Sequence, residues 1–381
     1  MSYCLISWGA NSHGQLGQGS QSEECILPRE VDLSNCSLKP QKIKKIVGGA
    51  GHTLILDDNG HVYTCGWNNR GQLGFPVKEE VLSLQRICRK FKEKVADIAC
   101  GWDCSAALTK NGRLFLWGSN CFGQLGKDPK SLQWTHEPFE IATGRKIKGV
   151  SMGLRHTALV TEDYKVLLTG TGSKGQLGLH GFNSPRNDRT RQAVYTFTEV
   201  PTLTNIRNVS CGQNHTIAVG TDGTVYAFGD NKHGQLGLNT DEYLKTTIPT
   251  KLPHVRLKFP VEVHSGWSHV ITLNADNEIF CWGRNTYGQL GVAELVKSST
   301  WKMTRIESLS RVYQVSVGSE HNVALTEDRK IFCWGWNEHG NCGNGHTNDL
   351  ANPEQLLLPY DYTGILVGSG SGHSFAVLKK S

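Results

Sequence analysis

No stretch of this 381-residue chain approaches the ~18 consecutive apolar residues that a membrane-crossing helix needs. Its apolar start, Leu5-Ile6, is too short for a signal peptide. Runs of five or six like charges are missing, so the net charge of +6 is a scattered surplus and not a nucleic-acid-binding tail. There is no Cys-x-x-Cys pair among the twelve cysteines, which removes the usual signature of zinc and dithiol sites. Cys65, Cys100, Cys211, Cys281 and Cys333 fall at strand positions and read as small buried hydrophobes in a reducing compartment. A phosphate loop of the Gly-x-x-x-x-Gly-Lys type and a nucleophile–base pair at recognisable spacing are also lacking. A hydrolase or lyase is therefore disfavoured, and the chain is expected to be soluble and intracellular, with no catalytic residue, metal or cofactor.

Glycine is plentiful, with 43 residues. Gly-Gln-Leu-Gly occurs at 14–17, 71–74, 123–126, 175–178, 234–237 and 288–291, and a degraded copy, Gly340-Asn341-Cys342-Gly343, completes a repeat of 52 to 59 residues. Each copy follows an apolar segment ending in Gly, as in Trp117-Gly118, Trp282-Gly283 and Trp334-Gly335. Upstream lies a Gly-x-x-His element opening an apolar strand. Between the two sit turns such as Asn59-Gly60, Asn111-Gly112 and Asp222-Gly223, whose residues tolerate positive φ and signal hairpins. Four short strands per unit read as propeller blades. The last segment, 365–378, is only the first half of a repeat, and residues 4–17 supply the second half. The expected fold is thus a single all-β domain over 1–381, a seven-bladed propeller closed by pairing N- and C-terminal strands in one blade, with repeats ending near 17, 74, 126, 178, 237, 291 and 343.

Since consecutive strands run antiparallel, the turn after strand one and the turn after strand three lie on the same face. That face carries the Gly-x-x-His loops: Gly49 to His52, Gly153 to His156, Gly212 to His215, Gly266 to His269, Gly318 to His321 and Gly370 to His373, with Gly101 to Cys104 as the exception. One His per unit reads as structural, each bonding a backbone group within its own blade, because equivalent sites around a ring lie too far apart to share an ion. The Gln of Gly-Gln-Leu-Gly is likewise expected to bond turn backbone through its amide.

The pattern Gly-x-x-His…Trp-Gly-x-Asn-x-x-Gly-Gln-Leu-Gly resembles the repeat of the regulator of chromosome condensation family over essentially the whole chain. The resemblance is strongest to a branch linked to exocyst-dependent secretion. It implies a cytoplasmic propeller, with the nucleus as a second location, that binds a small GTPase or an exocyst subunit; a monomer is expected, with no nucleic acid as partner. Founding-member exchange on Ran uses acidic residues on this face and a wedge in the turn after one Trp-Gly. Here the corresponding positions are Trp102 and Arg155, and no turn after Trp117-Gly118 carries an insertion. The basic N-terminal tail is missing as well. The resemblance thus implies neither Ran exchange nor nucleosome binding, and leaves exchange on another GTPase open, with Glu320 or Asp103 disrupting a phosphate or Mg²⁺ site.

Loop residues free of the repeat's own demands are the candidate partner contacts: Trp102, Asp103, Arg155, Gln213, Asn214, Trp267, Glu320 and, in a turn after strand three, Trp336. Trp and Arg dominate interface energetics because they bury large area and pair in fixed geometry. The alternative for Trp102 and Trp267 is packing across the rim of the central channel. Residues 78–95 place Val81, Leu82, Leu84, Ile87, Cys88, Phe91 and Val95 at helix-like spacing among Lys and Arg, which predicts an amphipathic helix on the ring's edge, covering a blade or meeting a partner. The stretch 183–191, rich in Arg, reads as a solvated loop.

Overall fold

A computed structural model describes residues 2–76, 80–87, 91, 93–179, 193–256, 262–295, 298–359 and 361–381. The loop predicted at 183–191 lies outside the described residues. All the long elements are strands, joined by tight turns.

Five four-stranded antiparallel sheets follow one another along the chain, and we number them blades 1 to 5: 95–141, 147–199, 206–256, 262–305 and 312–355. In each, the second strand begins at the His of the loop, or at Cys104 in blade 1, and is buried from end to end. The remaining eight strands form one continuous sheet, in the order Ser22–Glu30, Tyr3–Asn11, His373–Lys380, Tyr362–Ser369, Ile43–Gly48, His52–Asp57, Val62–Trp67, Glu80–Arg86. Within it the N-terminal strand pairs antiparallel with the C-terminal one, from Tyr3↔Lys379 to Gly9↔His373.

The architecture is therefore five blades and one eight-stranded sheet, not seven blades closed within one of them. The correction rests on a parallel pairing of Tyr362–Ser369 with Ile43–Gly48 at Ser369↔Val47, which carries the ladder through a boundary expected to separate two blades. Its physical cause is the loss of side chains. A Cβ on Gly368 would lie 2.6 Å from the Ile46 carbonyl oxygen, and one on Gly48 would lie 2.7 Å from the Gly370 Cα. At the place of Gly48, the innermost strands of the five blades carry Cys100, Met152, Cys211, Ser265 and Val317, each with a Cβ.

The amphipathic helix predicted over 78–95 is also corrected. Its described residues include the outer strand Glu80–Arg86, paired with Val62–Trp67. Two steps on the inner strand, Thr64 to Gly66, match four on the outer one, Gln85 to Val81. This bulge turns Val81 and Leu84 to the same buried side, so a strand shows a three-residue apolar spacing. Gly118 marks the same bulge in blade 1: it takes φ +97°, and a Cβ there would meet the Cys104 Cα at 2.6 Å.

Successive sheets interlock through the Gly-Gln-Leu-Gly turns. In four of the seven turns the main-chain oxygen of the second residue accepts an indole N–H from the following unit: Trp117 Nε1 on Gln72 at 2.8 Å, Trp282 on Gln235 at 3.0 Å, Trp334 on Gln289 at 3.2 Å and Trp8 on Asn341 at 2.8 Å. All four indoles are fully buried. The Gln amide oxygen takes the backbone N–H two residues earlier, as in Phe122 to Gln124 at 2.9 Å, which is the turn-bonding role expected of it.

Candidate functional site

Backbone hydrogen bonds link the loops after the innermost strands to one another. Ala50 N–H donates to the Trp102 carbonyl, Gln213 to Trp267, Trp267 to Ser319, Ser319 to Ser371 and Ser371 to Gly49. They surround a cavity of about 110 Å³ on the channel axis, floored largely by glycines such as Gly49, Gly101, Gly212 and Gly318. Trp102 and Trp267 stand over it from blades 1 and 4, their ring centroids 5.3 Å apart and their planes at 37°. Both are half-buried. The pair thus meets across the channel mouth, and Leu154 lines the same cavity.

The other candidates sit around this centre in separate settings. Arg155 is exposed and stacks its guanidinium 4.1 Å above the Phe122 ring, itself exposed in the turn of the preceding blade. Half-buried Gln213 is tied to Trp267 by its N–H, while the Asn214 carbonyl accepts from Asp230 N–H. Asp103 is half-buried, and burial pushes its carboxyl up while the Ser119 hydroxyl and Arg70 pull it down. Trp336 packs against Tyr287, with centroids 6.4 Å apart, and donates its indole N–H to Glu338 at 3.2 Å.

Glu320 does not protrude as a free acid. Its side chain is 5% exposed and accepts from Arg284 Nη1 at 2.9 Å and from the Gln289 amide. Burial pushes its carboxyl up to about 7, against the opposing pull of Arg284 and Gln289. Arg284 in turn lies over Tyr287, 5.0 Å from the ring centroid. Blades 4 and 5 are joined here by a chain running Glu320, Arg284, Tyr287, Trp336, which sequence reasoning did not assemble because its members are up to 52 residues apart.

The loop histidines are structural, but they do not bond backbone within their own unit as expected. Five of the six rings reach the next unit. His373 Nε2 lies 2.8 Å from Thr53 Oγ1, His52 Nε2 3.0 Å from Ser105 Oγ, His156 3.0 Å from Thr216 Oγ1, His269 3.0 Å from Asn322 Oδ1 and His321 2.9 Å from Ser374 Oγ. Those hydroxyls already donate to the turn carbonyls, as Thr53 does to Gln15 and Ser105 to Gln72 at 2.8 Å. The hydroxyls therefore accept, and the histidines must carry their proton on Nε2. Burial depresses the rings to about 3 for His52, His321 and His373 and about 4 for His156 and His269, so they are neutral. His215 departs from the pattern: the next unit offers Val270, and neither ring nitrogen finds a partner. A visible signal existed, because the residue after the His position is Thr53, Ser105, Thr157, Thr216, Asn322 or Ser374 everywhere except Val270.

Among the described residues no group of three or more His, Cys, Asp or Glu could hold a metal ion, and no helix is long and apolar enough to cross a membrane.

The RCC1-like domain model matches residues 4–376 of this chain. The chain belongs to the RCC1-like domain family. It is similar to the secretion-regulating guanine nucleotide exchange factor of Mus musculus, 34% identical over 98% of this chain and 83% of that protein. It is also similar to the regulator of chromosome condensation of Xenopus laevis, 27% identical over 99% of this chain and 90% of the other. In fold it matches Prp20p from Saccharomyces cerevisiae, described for its binding to Gsp1p and histones, with a TM-score of 0.86 at 24% identity over 100% of this chain and 92% of that one. RCC1-like membership thus accounts for the repeat, while the mouth's Trp102, Arg155 and Trp267 lie at loop tips whose side chains the repeat pattern leaves free.

Proposed function

We propose that this RCC1-like propeller is a binding module that holds a small GTPase, or an exocyst subunit of the secretory machinery, on its Gly-x-x-His loop face, in the cytoplasm. The observation that carries this reading is the Trp102–Trp267 pair: two large aromatic side chains, half-buried at 5.3 Å, on a face that also presents Arg155 and Phe122. Interface energy concentrates in such aromatic and arginine anchors. No bond-making chemistry is required of it. Affinity capture with the wild-type chain and with Trp102→Ala plus Trp267→Ala tests the reading: the wild type retains a GTPase or exocyst subunit and the variant loses it. Retention of every partner by the variant would remove the basis.

A second reading is exchange on a GTPase other than Ran, favoured by similarity to a protein named as an exchange factor. Such a factor acts by binding the nucleotide-free state more tightly than the loaded one, so its catalysis is differential affinity. Trp102 and Arg155 at the founding member's acidic positions argue against Ran itself. Release of mant-GDP from a GTPase panel should then accelerate for one non-Ran member; intrinsic rates throughout would leave the binding module alone.

A further inference from the structure

Both faces carry exposed cations. On the face of the strand-two-to-three hairpins, several cations are paired, Lys42 with Asp58 at 2.8 Å, Arg145 with Glu199 at 2.8 Å, Arg311 with Glu327 at 2.5 Å, Lys330 with Asp328 at 2.9 Å and Lys380 with Asp361 at 3.1 Å, while exposed Lys110 and Arg329 have no ion pair among the described residues. Four further cations stand at the mouth. Arg70, Arg155, Lys174 and Lys232 are all exposed, and among the described residues none has an ion-pair partner. Their positions follow from the topology: Arg70, Lys174 and Lys232 sit in turns after the third strands Val62–Trp67, Val166–Thr171 and Thr224–Asp230, and Arg155 in a loop before a second strand, His156–Thr161.

Several acids of the same face are already engaged. Glu320 is buried against Arg284 and Gln289. Asp103 is half-buried, Asp230 accepts from Gln235 Nε2 at 3.0 Å, Glu338 holds the Trp336 indole, and Glu80 takes His13 and Gln21. The cations Arg70, Arg155, Lys174 and Lys232 thus share the face of the Trp102–Trp267 pair without an ion-pair partner among the described residues. Exposed unpaired cations around an apolar centre raise the local concentration of anionic partners and reject basic ones.

We propose that the mouth face docks an acidic protein segment that places one aromatic side chain on the Trp102–Trp267 pair while its carboxylates meet Arg70, Arg155, Lys174 and Lys232. This rests on the binding-module reading and names the partner's chemistry. Carboxylates pair with the guanidinium groups in planar, two-point geometry and with the lysines as point charges.

The test uses fluorescence anisotropy with a labelled twelve-residue Asp/Glu-rich peptide carrying one central Phe, a Lys-rich twin and a twenty-nucleotide single-stranded DNA. The wild-type chain should bind the acidic peptide, more weakly by at least fivefold at 300 mM than at 50 mM NaCl, and leave the Lys-rich twin free. Arg155→Glu plus Lys232→Glu should weaken it at least tenfold, whereas Lys146→Ala on the other face should not. Equal binding by the charge-reversed variant, or DNA binding as tight as the peptide's, overturns the proposal. The two readings fail separately. If Trp102→Ala plus Trp267→Ala releases the captured partner while charge reversal leaves both partner and peptide bound, the acidic-segment inference falls and the binding module stands; if the Trp variant keeps its partner, the module falls.

Discussion

His373 Nε2 and Thr53 Oγ1 lie 2.8 Å apart, joining the C-terminal strand to the second strand of the first repeat in the eight-stranded sheet. Thr53 Oγ1 passes its own proton to the Gln15 carbonyl, so one hydroxyl ties together three segments that are remote in the chain. Replacing Thr53 by Val leaves His373 Nε2–H and the Gln15 carbonyl without that partner in a fully buried setting. A loss of about 1–3 kcal/mol is expected, measured by urea unfolding. An unchanged midpoint would mean that the link contributes nothing.

His215 offers the reverse experiment. Its ring is fully buried and unpartnered, and Val270 occupies the position at which the other units provide Thr, Ser or Asn. Val270→Thr should supply an acceptor for Nε2–H while its hydroxyl donates to the nearby Gln235 carbonyl. Burying a hydroxyl in an apolar site costs about 1–3 kcal/mol, yet here the change is expected to be neutral or to stabilise by about 1 kcal/mol. A drop in Tm of several degrees would refute the arrangement.

Acid should weaken the fold steeply. The buried rings of His52, His156, His215, His269, His321 and His373 are held at about 3 or 4 by burial. In the unfolded chain they titrate near ~6.5. The unfolded state therefore binds more protons between these values, so the stability they contribute is whole above ~6.5 and lost as pH falls toward 4, by up to about 1.4 kcal/mol per pH unit for each ring. Thermal unfolding followed from pH 7 to 4.5 should show Tm dropping throughout; a flat profile would contradict neutral burial.

Glu320 runs the opposite way. Its folded value of about 7 lies above the ordinary carboxyl range because of burial. Its contribution is complete below ~4.5 and lost as pH rises through about 7. Glu320→Gln, which cannot ionise, should lack this loss, so that the variant gains stability relative to the wild type as pH rises from 5 to 8, whatever constant offset it introduces. Parallel wild-type and variant profiles would show that Arg284 keeps the carboxylate ionised across the range.

Gly368→Ala probes the continuous sheet. The added Cβ would press on Ile46 backbone and side chain at 2.5–2.6 Å, and overpacking of this kind costs about 1–3 kcal/mol. Denaturant unfolding should register that loss. Crystals of the variant should show the Ser369–Val47 pairing opened.

How far the chain could be read depended on the range of each signal. Local turn chemistry was legible: Asn11 and Asn120 side chains accept the N–H of Leu16 and Leu125, and Gln124 closes its turn as expected. The outer strand at Glu80–Arg86 was misread because a bulge imitates helical spacing. Histidine roles were half-legible, since the polar residue that follows every loop His except His269 was visible but its pairing with the preceding unit was not.

The sequence by itself determined the strand content, the turn types and the repeat, because these follow from φ preferences, alternation and hydrogen bonds within a few residues. Tertiary structure alone decided that Gly48 and Gly368 let two innermost strands merge into one sheet, that Glu320 is spent on Arg284, and that Trp102 meets Trp267. Each of these depends on the distance between backbones far apart in the chain, which is set by packing around the whole channel and not by any local pattern.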